Sequence, residues 1–243
     1  MSTQIAAIVG AAGGAGTTRV TLEAGTLLAG TGRDVAVFDA SFQTQGLASY
    51  ADRPVETDVT ALLTDGVTLE SALVDQQHDL PGTLALCPAS APFERLARAK
   101  TAGAAERFEE QLAAATLSHD VVLVDTPPIG GNQAIAAVNA ADSIAIVTPD
   151  SVRGRDALAL TRERLADIGE SADATVANWS ERSVVEADAS VPSVETTDPR
   201  QCPTVLPPDD RFTPAIVDVL AATLGITPDV EIPDSSRITE ILG

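Results

Sequence analysis

The sequence predicts an α/β fold, a mostly parallel, doubly wound sheet of about seven strands with helices on both faces. Three observations lead there. Short apolar runs that stop at turn or polar residues recur along the chain, as strands buried on both faces do. Stretches with helical spacing alternate with these runs, the pattern of a sheet covered on both sides. A glycine-rich stretch, GAAGGAGTTR from Gly10 to Arg19, joins the first run to the first helical stretch.

The elements follow in order. Ile5–Val9 is the first strand, ended by Gly10, and Thr18–Leu28 is the first helix. Val35–Phe38 is a strand that stops at Asp39, and Leu84–Leu86 is the next. A long helical stretch then runs from Phe93 to Leu117. Val121–Val124 is a strand ending in DTPP, with a helix over Gln133–Asn139 beyond it. Ile144–Val147 leads into a helix over Gly154–Ile168, and Thr175–Ala177 is the following strand. Thr204–Leu206 is the last strand, before a helix over Ala215–Leu224. Ligands of such a sheet are expected at the carboxyl ends of its strands.

Length fits one domain, residues 1–225, followed by a tail, 226–243. The stretch Trp179–Gln201 is rich in Ser, Glu, Asp, Thr and Pro with few large apolar residues, and reads as an acidic surface excursion. In the tail, SSRITEILG places Ile238, Ile241 and Leu242 on one helical face. That face suits either packing on the chain's own domain or docking of a protein partner; a membrane anchor is disfavoured by its Arg and Glu.

The formal charge is −20, and the basic residues are Lys100 and fourteen Arg. Nucleic acid and anionic membranes require clustered cations that this chain lacks. Its acids are scattered, as on a solvated surface suited to very high salt, where at about 1 M the Debye length of about 3 Å screens self-repulsion. Cys87 and Cys202 form no CxxC and no metal-type spacing, which excludes a disulfide framework and a zinc site and points to a reducing, cytoplasmic setting. MSTQIAAIVG has neither the basic start of a signal peptide nor the length of a membrane span.

The chemistry concentrates after three strands. Gly13, Gly14 and Gly16 let backbone N–H groups turn inward around a phosphate, and the following helix adds partial positive charge. Thr18 then supplies a hydroxyl able to ligate magnesium, and Asp39 and Asp125, at strand ends, supply carboxylates near the same place. Taken singly, the loop is a turn for close packing and each acid a cap. Their order along the chain is what carries the reading.

These residues resemble the MinD/ParA family of deviant Walker-A ATPases, of the SIMIBI class. The family loop GKGGxGKTT is matched by AAGGAGTTR, DTPP matches its switch, and DASFQTQGL matches its DxD segment. The resemblance implies a nucleotide held by Gly13, Gly14, Ala15, Gly16, Thr17 and Thr18. Asn178 would contact adenine, Pro208 in LPPDDRF would flank the purine, and Thr18, Asp39 and Asp125 would hold magnesium.

The sequence also departs from the family. The signature lysine falls on Ala12, the general loop lysine on Thr17 and the second Asp of DxD on Ser41. Losing two lysine contacts removes about 3–6 kcal/mol of affinity, roughly a hundredfold to ten-thousandfold. Arg19, one position past Thr18, leaves the helix on a different face, and Lys100 reads as a solvated residue of the long middle helix. The resemblance therefore implies a pseudo-ATPase, a dimer-capable regulator or scaffold pairing with itself or with an active paralogue. ATP and magnesium are its expected cofactors, or none if nucleotide no longer binds. The alternative is a divergent but active positioning ATPase.

Overall fold

The computed structural model describes residues 3–76, 79–181, 184–195 and 198–231. Its strands are β1 (Gln4–Gly10), β2 (Val35–Asp39), β3 (Val74–Asp75), β4 (Leu84–Cys87), β5 (Val121–Thr126), β6 (Ser143–Pro149), β7 (Ala174–Asn178) and β8 (Ala189–Val191). They form one eight-stranded sheet in the order β3-β4-β2-β5-β1-β6-β7-β8. Every pairing is parallel except that of β3 with β4. The helices are α1 (Thr17–Gly30), α2 (Val59–Thr64), α3 (Leu69–Ala72), α4 (Phe93–Ala99), α5 (Ala102–Ala115), α6 (Asn132–Asn139), α7 (Val152–Asp167) and α8 (Phe212–Leu224).

The central strands are apolar throughout because helices cover both of their faces. Successive side chains of a strand point to opposite faces. Ala6 and Ile8 of β1 therefore pack with Leu27 of α1 and Ile216 of α8, while Ala7 and Val9 pack with Val138 of α6 and Leu165 of α7. On that second face Phe38 of β2 meets Phe108 of α5, ring centroids 6.3 Å apart. The register sets Asp39 opposite Asp125, so both carboxylates arrive at one end of the sheet beside the exit of β1.

Several expectations change. The 93–117 stretch is two helices, because Thr101 takes an extended conformation (ψ 160°) between α4 and α5. Thr204–Leu206 is no strand. Pro203 and Pro207 lack donors, and the N–H groups of Thr204 and Val205 go to the Glu23 carboxylate rather than to a neighbouring strand. The excursion 179–201 is partly structured, since β8 lies in it and extends the sheet beside β7. The two short strands β3 and β8 bring the count to eight. The helical face of Ile238, Ile241 and Leu242 lies outside the described residues. Among the described residues no helix is long and apolar enough to cross a membrane.

Candidate functional site

The strand β1 leaves the sheet at Gly10 and the chain folds into a loop before α1. Two glycines make that loop possible: Gly14 and Gly16 lie at φ 76° and 83°, where L side chains are strained. Gly16 is doubly constrained, because a Cβ there would sit 2.2 Å from Asn178 Nδ2. The loop is pinned by Ala11 N–H donating to Val147 O (2.9 Å) and by Asn178 Nδ2 donating to Ala15 O (2.9 Å). No side chain caps the N-terminus of α1 and no acid lies in its first turn. Its leading N–H groups, with the positive end of the helix dipole, thus face a recess of about 440 Å³ lined by the loop, Ser41, Thr44 and Asp125. This is an anion cradle made of backbone.

Of the two carboxylates, that of Asp125 lines it. Thr18 Oγ1 donates to Asp125 Oδ2 at 2.6 Å, whereas Asp125 Oδ1 is buried with no hydrogen-bond partner among the described residues. Asp39 is fully buried too, but Ser41 N–H (2.7 Å) and Ala89 N–H (3.2 Å) donate to its two oxygens. Burial raises the Asp39 carboxyl well above the usual carboxylate range, and the charge of Asp125 adds to this. Burial raises Asp125 as well, against the opposing bond from Thr18. An unpartnered buried carboxylate oxygen beside a threonine hydroxyl fits a divalent cation carried in on a phosphate. Among the described residues no cluster of three or more His, Cys, Asp or Glu would hold a metal without such a phosphate.

The loop residues from Ala12 to Thr18 all line the recess, whereas Asp39 does not line it and sits opposite Asp125 in the sheet. Asn178 and Pro208 do not line it; Asn178 instead clamps the loop, its Oδ1 accepting from Trp179 N–H (3.0 Å), and the prolines that do line the recess are Pro127, Pro128 and Pro199. Ala12, Thr17 and Ser41 place no charge in it. Arg19 does line the recess, contrary to the expectation that it faces away, but its guanidinium is engaged by the buried Glu23 and Thr204 Oγ1.

Lys100 is not simply a solvated helix residue. It caps α4 at the break before α5 and lines a second recess, about 630 Å³, that shares Gly13, Ser41, Thr44, Pro127 and Pro128 with the first. Gln133, buried at the start of α6, lines it as well. Sequence reasoning set Lys100 aside as a solvated residue and did not single out Gln133. The signal available was that a chain with 35 acids keeps a single lysine.

A family model for the AAA domain matches residues 3–171. In sequence the chain is 28% identical over 169 residues to an uncharacterized ATP-binding protein of Methanocaldococcus jannaschii, a match spanning 67% of this chain and 60% of that protein. In structure it is similar to the MinC:MinD cell division protein complex of Aquifex aeolicus, with TM-score 0.74 and 22% identity, covering 94% of this chain and 98% of the other. It is also similar to the septum site-determining protein MinD of Pyrococcus horikoshii complexed with Mg-ADP, with TM-score 0.66 and 22% identity, covering 78% and 81% of the two chains. At these identities the structural likeness is one of fold.

Proposed function

The chain belongs to the AAA domain family, and from that premise we propose that it works as a MinD/ParA-like pseudo-ATPase. In this reading it is a dimer-capable regulator or scaffold of intracellular positioning or partitioning, which pairs with a second copy or an active paralogue in the cytoplasm. Hydrolysis is lost, and ATP is held weakly or not at all.

One observation carries the reading. The cradle keeps its backbone shape and its Thr18–Asp125 pair, while Ala12, Thr17 and Ser41 put no charge where a triphosphate would develop it. Phosphoryl transfer depends chiefly on positioning and on stabilising charge, so loss of those groups removes turnover before it removes shape. Thr18 and Asp125 are the residues that would hold magnesium, which when bound would neutralise phosphate charge. The scattered acids and net charge of −20 support a working environment of high salt.

A second reading, a divergent active ATPase, is favoured by the unpartnered Asp125 Oδ1 beside Thr18. Titration of the purified chain with Mg-ATP in multimolar KCl, run beside a phosphate-release assay, separates the two. The pseudo-ATPase shows no turnover and a dissociation constant of about a millimolar or weaker, given the lost lysine contacts. Micromolar binding with phosphate release would establish the active enzyme instead.

A further inference from the structure

We infer that Lys100 and Gln133 form an anchoring site for a phosphoryl group at the far side of Gly13, with Lys100 supplying from the same chain a cation that the loop lacks. The inference rests on the cradle reading of the loop and is independent of whether hydrolysis occurs.

Four observations converge. The recess that Lys100 lines shares the wall of Gly13, Ser41, Thr44, Pro127 and Pro128 with the cradle, so the two adjoin at Gly13 and a phosphate chain seated on the loop amides would have room to extend into it. Among the described residues no Asp or Glu lines this recess, and no ion pair or hydrogen bond engages the Lys100 ammonium. In a chain of net charge −20, a cleft free of carboxylates around an unpaired ammonium selects an anion.

The position of Lys100 is also fixed. Its carbonyl accepts from Asn132 Nδ2 at 2.9 Å, which ties the corner between α4 and α5 to the segment following Asp125. Finally, Gln133 is 5% exposed and its Oε1 has no partner among the described residues. A Cβ on Gly131 would lie 3.0 Å from that oxygen, so the glycine leaves the carboxamide its place. A buried acceptor left unpaired is costly, and a protonated phosphate or a water of its hydration shell supplies the donor. A phosphoryl group in this recess is thus offered an ammonium and, through its proton or a bound water, an acceptor.

The group recognised is either the terminal phosphate of a nucleotide or free inorganic phosphate. The test measures binding of Mg-ATP, Mg-ADP and inorganic phosphate to the full chain, followed by calorimetry. It compares the wild type with Lys100→Met, which keeps the apolar stem, and Lys100→Arg, which keeps the charge. The expected result is a roughly ten- to hundred-fold weakening of Mg-ATP in Lys100→Met, the size of one charged hydrogen bond, with Mg-ADP unchanged and Mg-ATP largely recovered in Lys100→Arg. Phosphate binding that Lys100→Met abolishes, with both nucleotides binding as they do to the wild type, assigns the same site to free phosphate. The inference is overturned if Lys100→Met weakens Mg-ATP and Mg-ADP alike, if it changes neither nucleotide nor phosphate binding, or if the wild type binds none of the three. Phosphate release by the wild type would sink the pseudo-ATPase reading and leave this inference standing.

Discussion

The phosphate loop and the wall made by the described residues 184–195 and 198–208 hold their shapes by opposite means. In the wall, backbone N–H groups are given carboxylates of the protein itself. Glu23 accepts from Thr204 N–H (2.7 Å) and Val205 N–H (3.0 Å), and Asp150 from Val184 N–H (2.7 Å) and Val185 N–H (2.8 Å). In the loop, two left-handed glycines shape the turn and among the described residues no carboxylate accepts from its N–H groups; the clamp on Ala15 O is a neutral amide. The difference shows how one fold uses the same backbone donor twice. Where shape is needed an internal anion satisfies it, and where a ligand is needed it stays open.

The largest test adds charge to the loop. The double variant Ala12→Lys, Thr17→Lys is expected to gain roughly a hundredfold to ten-thousandfold in Mg-ATP affinity, the equivalent of two charged hydrogen bonds. Calorimetry measures it, and no gain would mean that the open amides do not form a phosphate cradle. The wall is next. Glu23→Ala leaves Arg19 nearly buried without its partner and two N–H groups without an acceptor. We expect a loss of about 3–5 kcal/mol in urea unfolding, partly recovered when Arg19→Ala is added. If Glu23→Ala melted like the wild type, the internal-anion account of the wall would fail.

The smallest effect, taken per pH unit, is on pH dependence. Burial raises Asp39 to about 8 and Asp125 to about 6, so the folded chain holds protons that the unfolded chain has already released. Between the ordinary carboxylate range and about 8 the native state therefore binds more protons, and stability falls as pH rises. The slope is at most about 1.4 kcal/mol per pH unit for each group. Thermal melts at about pH 5 and about pH 8 should show the chain less stable at the higher pH. Asp39→Asn should narrow that gap, and an unchanged gap would place the titration elsewhere.

Much of this was legible in the sequence. Strands such as Val121–Val124 are apolar because they are buried on both faces, and that constraint is written in every residue. The loop was equally legible, since glycine at 14 and 16 answers a local backbone demand. The short strand β8 was hidden, because its three residues carry little pattern and its pairing partner β7 lies elsewhere in the chain. Thr204–Leu206 misled for the converse reason: it is β-like in composition, but its donors are taken by Glu23, far away in sequence.

The sequence by itself determined the α/β class, the core strands, the loop and the absence of charge at Ala12, Thr17 and Ser41, because each depends on local periodicity or on the identity of one residue. Only the tertiary structure decided where the surviving cations lie. It engaged Arg19 with Glu23 and carried Lys100, through a break between two helices, to the wall beside Gly13. Side-chain direction depends on where a helix ends and on what packs against it, and neither is fixed by spacing along the chain.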